Sequence, residues 1–135
     1  MNIIMVIVVV SILIIVMYYF LEDFRNEKGS RIRFLWDQSI KIDTERGFIP
    51  PEGFRSGVEF SKEQIDRALA AGRGQEAMEI VPSEDLSGHG TAVAAVAASS
   101  NKDILLQGVA PESELLIVKL GATNESGFPS TTEIM

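Results

Sequence analysis

Cysteine is absent from this chain of 135 residues, histidine and tryptophan occur once each, and acidic side chains outnumber basic ones by 19 to 12. Without cysteine there is no disulfide framework and no thiolate metal centre, and one histidine cannot make a histidine-rich zinc set. No metal and no cofactor is therefore expected. The net charge of -7 argues against a nucleic-acid partner, because recognition of phosphate needs basic patches. What remains is ordinary in bulk: 46% hydrophobic and 23% charged residues suit one globular domain or part of one.

The single histidine stands in Ser87-Gly88-His89-Gly90-Thr91, directly ahead of the small apolar run Ala92-Val93-Ala94-Ala95-Val96-Ala97-Ala98. Glycines on both sides let the backbone turn tightly, and Thr91 is placed to cap a following helix. An imidazole at a helix start feels the positive end of the dipole, which favours the neutral ring, the form that accepts a proton. Further on, Gly108-Val109-Ala110-Pro111 reads as a turn, and Leu115-Leu116-Ile117-Val118-Lys119-Leu120 has the length and composition of a buried strand. In order and spacing these motifs resemble the subtilisin-like serine peptidases, the subtilases. There a Gly-His-Gly-Thr loop opens a central helix and a Gly-Val-Ala-Pro turn leads into a parallel strand.

The resemblance implies a part of a three-layer α/β fold over residues 21–135. It assigns His89 as catalytic general base, with Gly88, Gly90 and Thr91 shaping its loop, and protein or peptide as substrate. It also implies two partners for the histidine that this sequence does not supply. The family's orienting aspartate, in Asp-Ser/Thr-Gly, should fall within residues 11–17, because Leu21-Glu22-Asp23-Phe24-Arg25-Asn26 is similar to the segment that follows that motif; no acidic residue occurs there. Asp23 comes after the strand and lacks the companions. No serine here has Gly-Thr-Ser-Met-Ala-like neighbours, and neither Asn101 nor Asn124 matches the family's oxyanion-binding asparagine. Codons for Ile-Asp-Ser-Gly read one nucleotide late give Ser-Ile-Leu-Val, against Ser11-Ile12-Leu13-Ile14 in this chain, so a local shift of reading frame is the hypothesis for the lost aspartate.

Residues 3–21 carry no charge and are long enough to span a bilayer, with Tyr18 and Tyr19 near one interface and Arg25, Lys28, Arg31 and Arg33 on the cytoplasmic side. The same β-branched run also fits an altered first strand of an α/β sheet. The two alternatives predict a membrane-associated or a cytoplasmic or spore-associated protein. In the first case, the acidic remainder would be a non-catalytic binding domain.

Between these landmarks, residues 31–36 partly alternate and predict a strand ending at Trp36-Asp37-Gln38. With its flanks this phrase resembles a bacterial subtilase subgroup that includes spore-germination proteases. Residues 39–60, rich in glycine and proline, read as an irregular insertion or hairpin. Ser61-Lys62-Glu63-Gln64 is a capping box opening a short helix that Gly72 ends. Glu76, Glu79, Glu84 and Asp85 read as a solvated acidic face. The succession of strand, helix and strand predicts a parallel sheet. Ser130-Thr131-Thr132-Glu133 is a second capping box just before Met135, so the chain is expected to stop inside a larger fold. A complementing polypeptide would then be needed for turnover.

Overall fold

The computed structural model describes Tyr19, residues 21–86 and residues 88–121. The window at 11–17, most of the apolar run and residues 130–133 lie outside the described residues. Among the described residues, no helix is long and apolar enough to cross a membrane.

Among the described residues, five strands and three helices are ordered as β1 (Arg25–Asn26), β2 (Gly29–Ser30), β3 (Ile32–Asp37), β4 (Val58–Ser61), α1 (Lys62–Ala71), α2 (Gln75–Ile80), α3 (His89–Ala98) and β5 (Leu115–Lys119). Short 3-10 turns at Glu22–Phe24 and Ile104–Leu106 complete the set. β1 and β2 form a small hairpin; the main sheet has the order β4-β3-β5. The expected parallel pairing occurs between β3 and β5, but β4 runs antiparallel to β3, so the sheet is mixed. That strand falls inside the stretch read as irregular. Val58 and Phe60 alternate inward there, and four residues suffice once a partner strand is present.

Leu35 sits at the middle of the sheet, in register with Phe60 on one side and Ile117 on the other. Phe24, Ile32, Val58, Ile65, Val81 and Leu115 close the core around it. Burying such a side chain is worth about 1.5–3 kcal/mol. The chain from Ser39 to Gly57 is tied down by aromatic side chains. Phe48 packs edge-on against Phe60 with ring centroids 5.4 Å apart, and the half-buried Trp36 donates its indole N–H to Ser56 O at 3.0 Å while its ring meets Phe54 at a tilt, centroids 4.4 Å apart.

The capping box at Ser61 is present in full: Ser61 Oγ accepts from Gln64 N and Gln64 Oε1 accepts from Ser61 N. Gly72, at φ +78°, ends α1 as expected. Asp66 of α1 then accepts from Ser30 N at 2.7 Å, which docks the helix on the β1–β2 hairpin. Glu76, Glu79 and Glu84 are exposed, as a solvated face requires, while Asp85 is partly buried; the first two stand on α2, whose Ala77 is buried against the core.

Candidate active site

His89 is the first residue of α3 and is exposed. Three groups of contacts hold that helix in place, one before it, one at its N-terminus and one at its C-terminus.

Ahead of the helix, residues 81–85 run across the carboxyl ends of β3 and β5. Val81 is buried and its carbonyl accepts the Tyr19 hydroxyl at 3.0 Å. Ser83, also buried, donates its hydroxyl to Asp37 Oδ2 at 2.6 Å. Asp37 closes β3 and is fully buried. Its Oδ1 accepts from Ser39 N at 2.9 Å and from Ser39 Oγ at 2.5 Å, and Lys119 Nζ lies 2.9 Å from Oδ2. A buried carboxylate is tolerable only when paired and hydrogen-bonded, and here both oxygens are used. These four contacts commit Asp37 to holding the strap rather than to orienting an imidazole.

At the N-terminus, Asp85 does the capping that Thr91 was expected to do. The N-cap position is Gly88, in the left-handed region at φ +73°, where a residue with a Cβ is penalised by about 1–2 kcal/mol. Asp85 Oδ1 accepts from Gly88 N at 2.6 Å, and Oδ2 accepts from Thr91 N at 3.2 Å and from the Thr91 hydroxyl. Thr91 is therefore a donor inside the first turn, not the cap. The carboxylate satisfies backbone donors that the helix leaves without partners and sits at the positive end of its dipole. The sequence reading placed Asp85 in the solvated acidic face and missed it. The signal was a carboxylate three residues before a glycine that opens a helix.

At the C-terminus, the predicted turn docks on the last turn of α3 through three successive amides. Gly108 N, Val109 N and Ala110 N donate to the carbonyls of Ser99, Val96 and Ala97 at 3.0, 3.1 and 2.8 Å. A Cβ at Gly108 would collide with Ala98 N and lie 2.6 Å from Ser99 N, so only glycine allows this approach. The Arg31 guanidinium, 3% exposed, donates to Ser113 O at 2.9 Å, to Asp23 O at 2.8 Å and to Ala98 O. A cation is well placed at the negative end of a helix. Burial pushes the Arg31 pKa down, opposed by the charge of Asp23.

Asp23 itself binds Ser99 Oγ at 2.9 Å and Asn101 Nδ2 at 3.3 Å. It thus serves the end of α3 away from His89, roughly 13 Å along the axis, and is no substitute for an orienting aspartate. Among the described residues, no group of three or more His, Cys, Asp or Glu side chains is placed to hold a metal ion.

The model of the subtilase family matches residues 37–135. No protein of curated function matches the chain in sequence. A solved structure similar to it is that of the CspB protease of Clostridium perfringens, with a TM-score of 0.64 and 27% identity over 90% of this chain. The similarity takes in 22% of the clostridial chain, so this chain spans about a fifth of that protein's length. Taken with the parallel β3–β5 pair and the histidine-bearing helix between them, the family match over residues 37–135 shows that the chain belongs to the subtilase family.

Proposed function

We propose that the chain is the base-bearing part of a subtilisin-like serine endopeptidase and that His89 is its general base. The observation that carries this reading is the position of His89, exposed at the first residue of a helix whose two ends are both anchored. A base has to be held within a few tenths of an ångström of its working place to be effective. In the reaction, His89 takes the proton of a serine hydroxyl as that oxygen attacks the peptide carbonyl, and returns it to the leaving amine. Gly88, Gly90 and Thr91 shape the loop, with Thr91 acting through Asp85.

The nucleophile is a serine from polypeptide outside the described residues. Ser83 and Ser99 donate to Asp37 and Asp23, Ser100 to the carbonyls of Asp23 and Arg25, and Ser113 to Ala110 O. The orienting carboxylate likewise comes from outside the described residues. By this reading the chain is a piece of a three-layer fold, its substrates are proteins or peptides, and it has no turnover alone.

A fluorophosphonate probe tests this directly. The purified chain should take up no label, whereas the chain co-expressed with the clostridial protease lacking its matched segment should yield a labelled serine. That labelling should disappear in H89A. Removal of the catalytic histidine of a subtilisin lowers kcat by about 10⁶, and a loss of that order is expected of H89A in the assembled enzyme. Stoichiometric labelling of the isolated chain would refute the reading.

A further inference from the structure

Successive side chains of a strand point to opposite faces of its sheet, and among the described residues the helices pack on one face only. Leu35, Phe60 and Ile117 belong to that face, and α1, α2 and α3 all bury residues in the same core as these three. The other face carries Phe34 and Trp36 from β3, Leu116 and Val118 from β5 and Glu59 from β4, with Glu59, Trp36 and Val118 in register across the three strands. Phe54 reaches it from the loop between β3 and β4 and meets the Trp36 ring at a tilt of 53°. Phe34 and Phe54 are each 42% exposed. Single exposed apolar side chains need no explanation, but a contiguous face of them, two thirds of it aromatic in bulk, marks an interaction surface.

Glu59 indicates what this face accepts. It is partly buried beside Trp36, and among the described residues no hydrogen bond or ion pair reaches its carboxylate. The cations that flank these strands are engaged elsewhere: Arg33 lies 3.4 Å from Glu114, Lys62 2.5 Å from Asp66 and Lys119 2.9 Å from Asp37. Burial alone raises the Glu59 pKa, with no cation to oppose it. A carboxylate on an apolar face is costly until a cation meets it, and the ring faces of Trp36 and Phe54 attract a cation as well. A guanidinium answers both demands, because it is planar, stacks on aromatic rings and offers paired N–H donors to a carboxylate. The net charge of -7 draws such a group in from a distance. We propose that this face of the sheet is a docking site for a partner protein that inserts an arginine between Glu59 and the Trp36–Phe54 pair, with the apolar side chains on either side of that arginine set on Phe34 and Val118. The site lies on the side of the sheet away from α3, so it goes beyond the reading of His89 as the base and does not depend on it.

Trp36 is the only tryptophan in the chain, so its fluorescence reports on this site. The whole chain is titrated with acetyl-Leu-Arg-Leu-amide, an arginine between two apolar side chains, and with the peptide of the same shape that carries neutral citrulline instead. The arginine peptide should give a saturable change. Exchanging it for the citrulline peptide, or the chain for E59Q, should each weaken binding about tenfold. F54A should weaken it too, whereas E27Q, which removes the same charge from an exposed position on the β1–β2 hairpin, should leave it unchanged. E59K should reverse the preference and bind acetyl-Leu-Glu-Leu-amide over the arginine peptide, a swap that loss of structure does not produce. Far-UV circular dichroism of each variant should match the parent. In the parent, the bound arginine peptide should bring the Glu59 carboxyl back toward the ordinary glutamate range, read from the carbon NMR signal of that group. No saturable change with the arginine peptide, equal affinity for the citrulline peptide, or an affinity that E59Q leaves intact overturns the proposal. So does self-association of the chain that E59Q abolishes, which would assign the face to a second copy.

Discussion

Asp37 and Lys119 face each other in register at the carboxyl ends of two parallel strands, with the ammonium 2.9 Å from the carboxylate. The same carboxylate takes the Ser83 hydroxyl, so the ion pair that ties β3 to β5 also fastens the strap leading to the histidine loop.

Removing one member of this pair leaves a buried charge without its partner. D37A should therefore cost about 3–5 kcal/mol, and K119M a comparable amount, read as a fall in the urea midpoint at unchanged slope. The double variant should be less destabilised than the sum of the two. S83A, which removes one hydrogen bond to a charged acceptor, should cost about 1.5–3 kcal/mol.

Asp85 serves the N-terminus of α3 through three donors. D85A should destabilise the chain by about 1–2 kcal/mol and speed hydrogen exchange at the Gly88 and Thr91 amides, with the core strands unaffected. D85N keeps one acceptor oxygen and should recover part of the protection.

At Gly108 the demand is for space rather than for backbone freedom. G108A should cost more than about 1–3 kcal/mol, the usual range for overpacking, because the atoms in the way are backbone. At Gly47, where φ is +74° and an added Cβ meets nothing within 4 Å, alanine should cost only the strain of the left-handed conformation, about 1–2 kcal/mol. Thermal unfolding of the two variants side by side checks the order.

Glu59, opposite Trp36 on β4, has its carboxyl pKa raised by burial. The folded chain thus holds that proton more tightly than the unfolded one. The resulting stability is present at low pH and is lost as pH rises through the ordinary glutamate range and on past the raised value. E59Q should flatten the stability profile from the ordinary glutamate range, about pH 4, upward, and leave the chain the more stable of the two at neutral pH. Urea midpoints from there to neutral pH decide it.

Features set by neighbouring residues could be read from the sequence. The Ser61–Gln64 box, the strand expected at 115–120 and the helix expected over the run 92–98 depend on side chains within a few positions of one another; the box is present in full, the strand covers Leu115–Lys119 and the helix starts earlier, at His89. The anchoring groups could not be read that way. Asp37 meets Ser83 and Lys119 across 46 and 82 positions of chain, and Arg31 reaches Ala98 across 67. Such pairings have no local signature. Thr91 shows a subtler failure: its hydroxyl suits a cap by composition, but Asp85 reaches the same donors from outside the helix and turns Thr91 into a donor. The antiparallel β4 was lost in a glycine-rich stretch because its partner, β3, is what gives four residues the status of a strand.

The docking of residues 108–110 on the carbonyls of Val96, Ala97 and Ser99 makes α3 a ruler. Its far end is fixed by that turn, so its length in residues sets the direction in which the imidazole points. Deleting one alanine from the middle would leave the dock intact and every remaining side chain helix-compatible. Yet it would swing His89 by about 100° and draw it back by about 1.5 Å. A change at one of its exposed positions leaves the imidazole where it is; a change of phase does not.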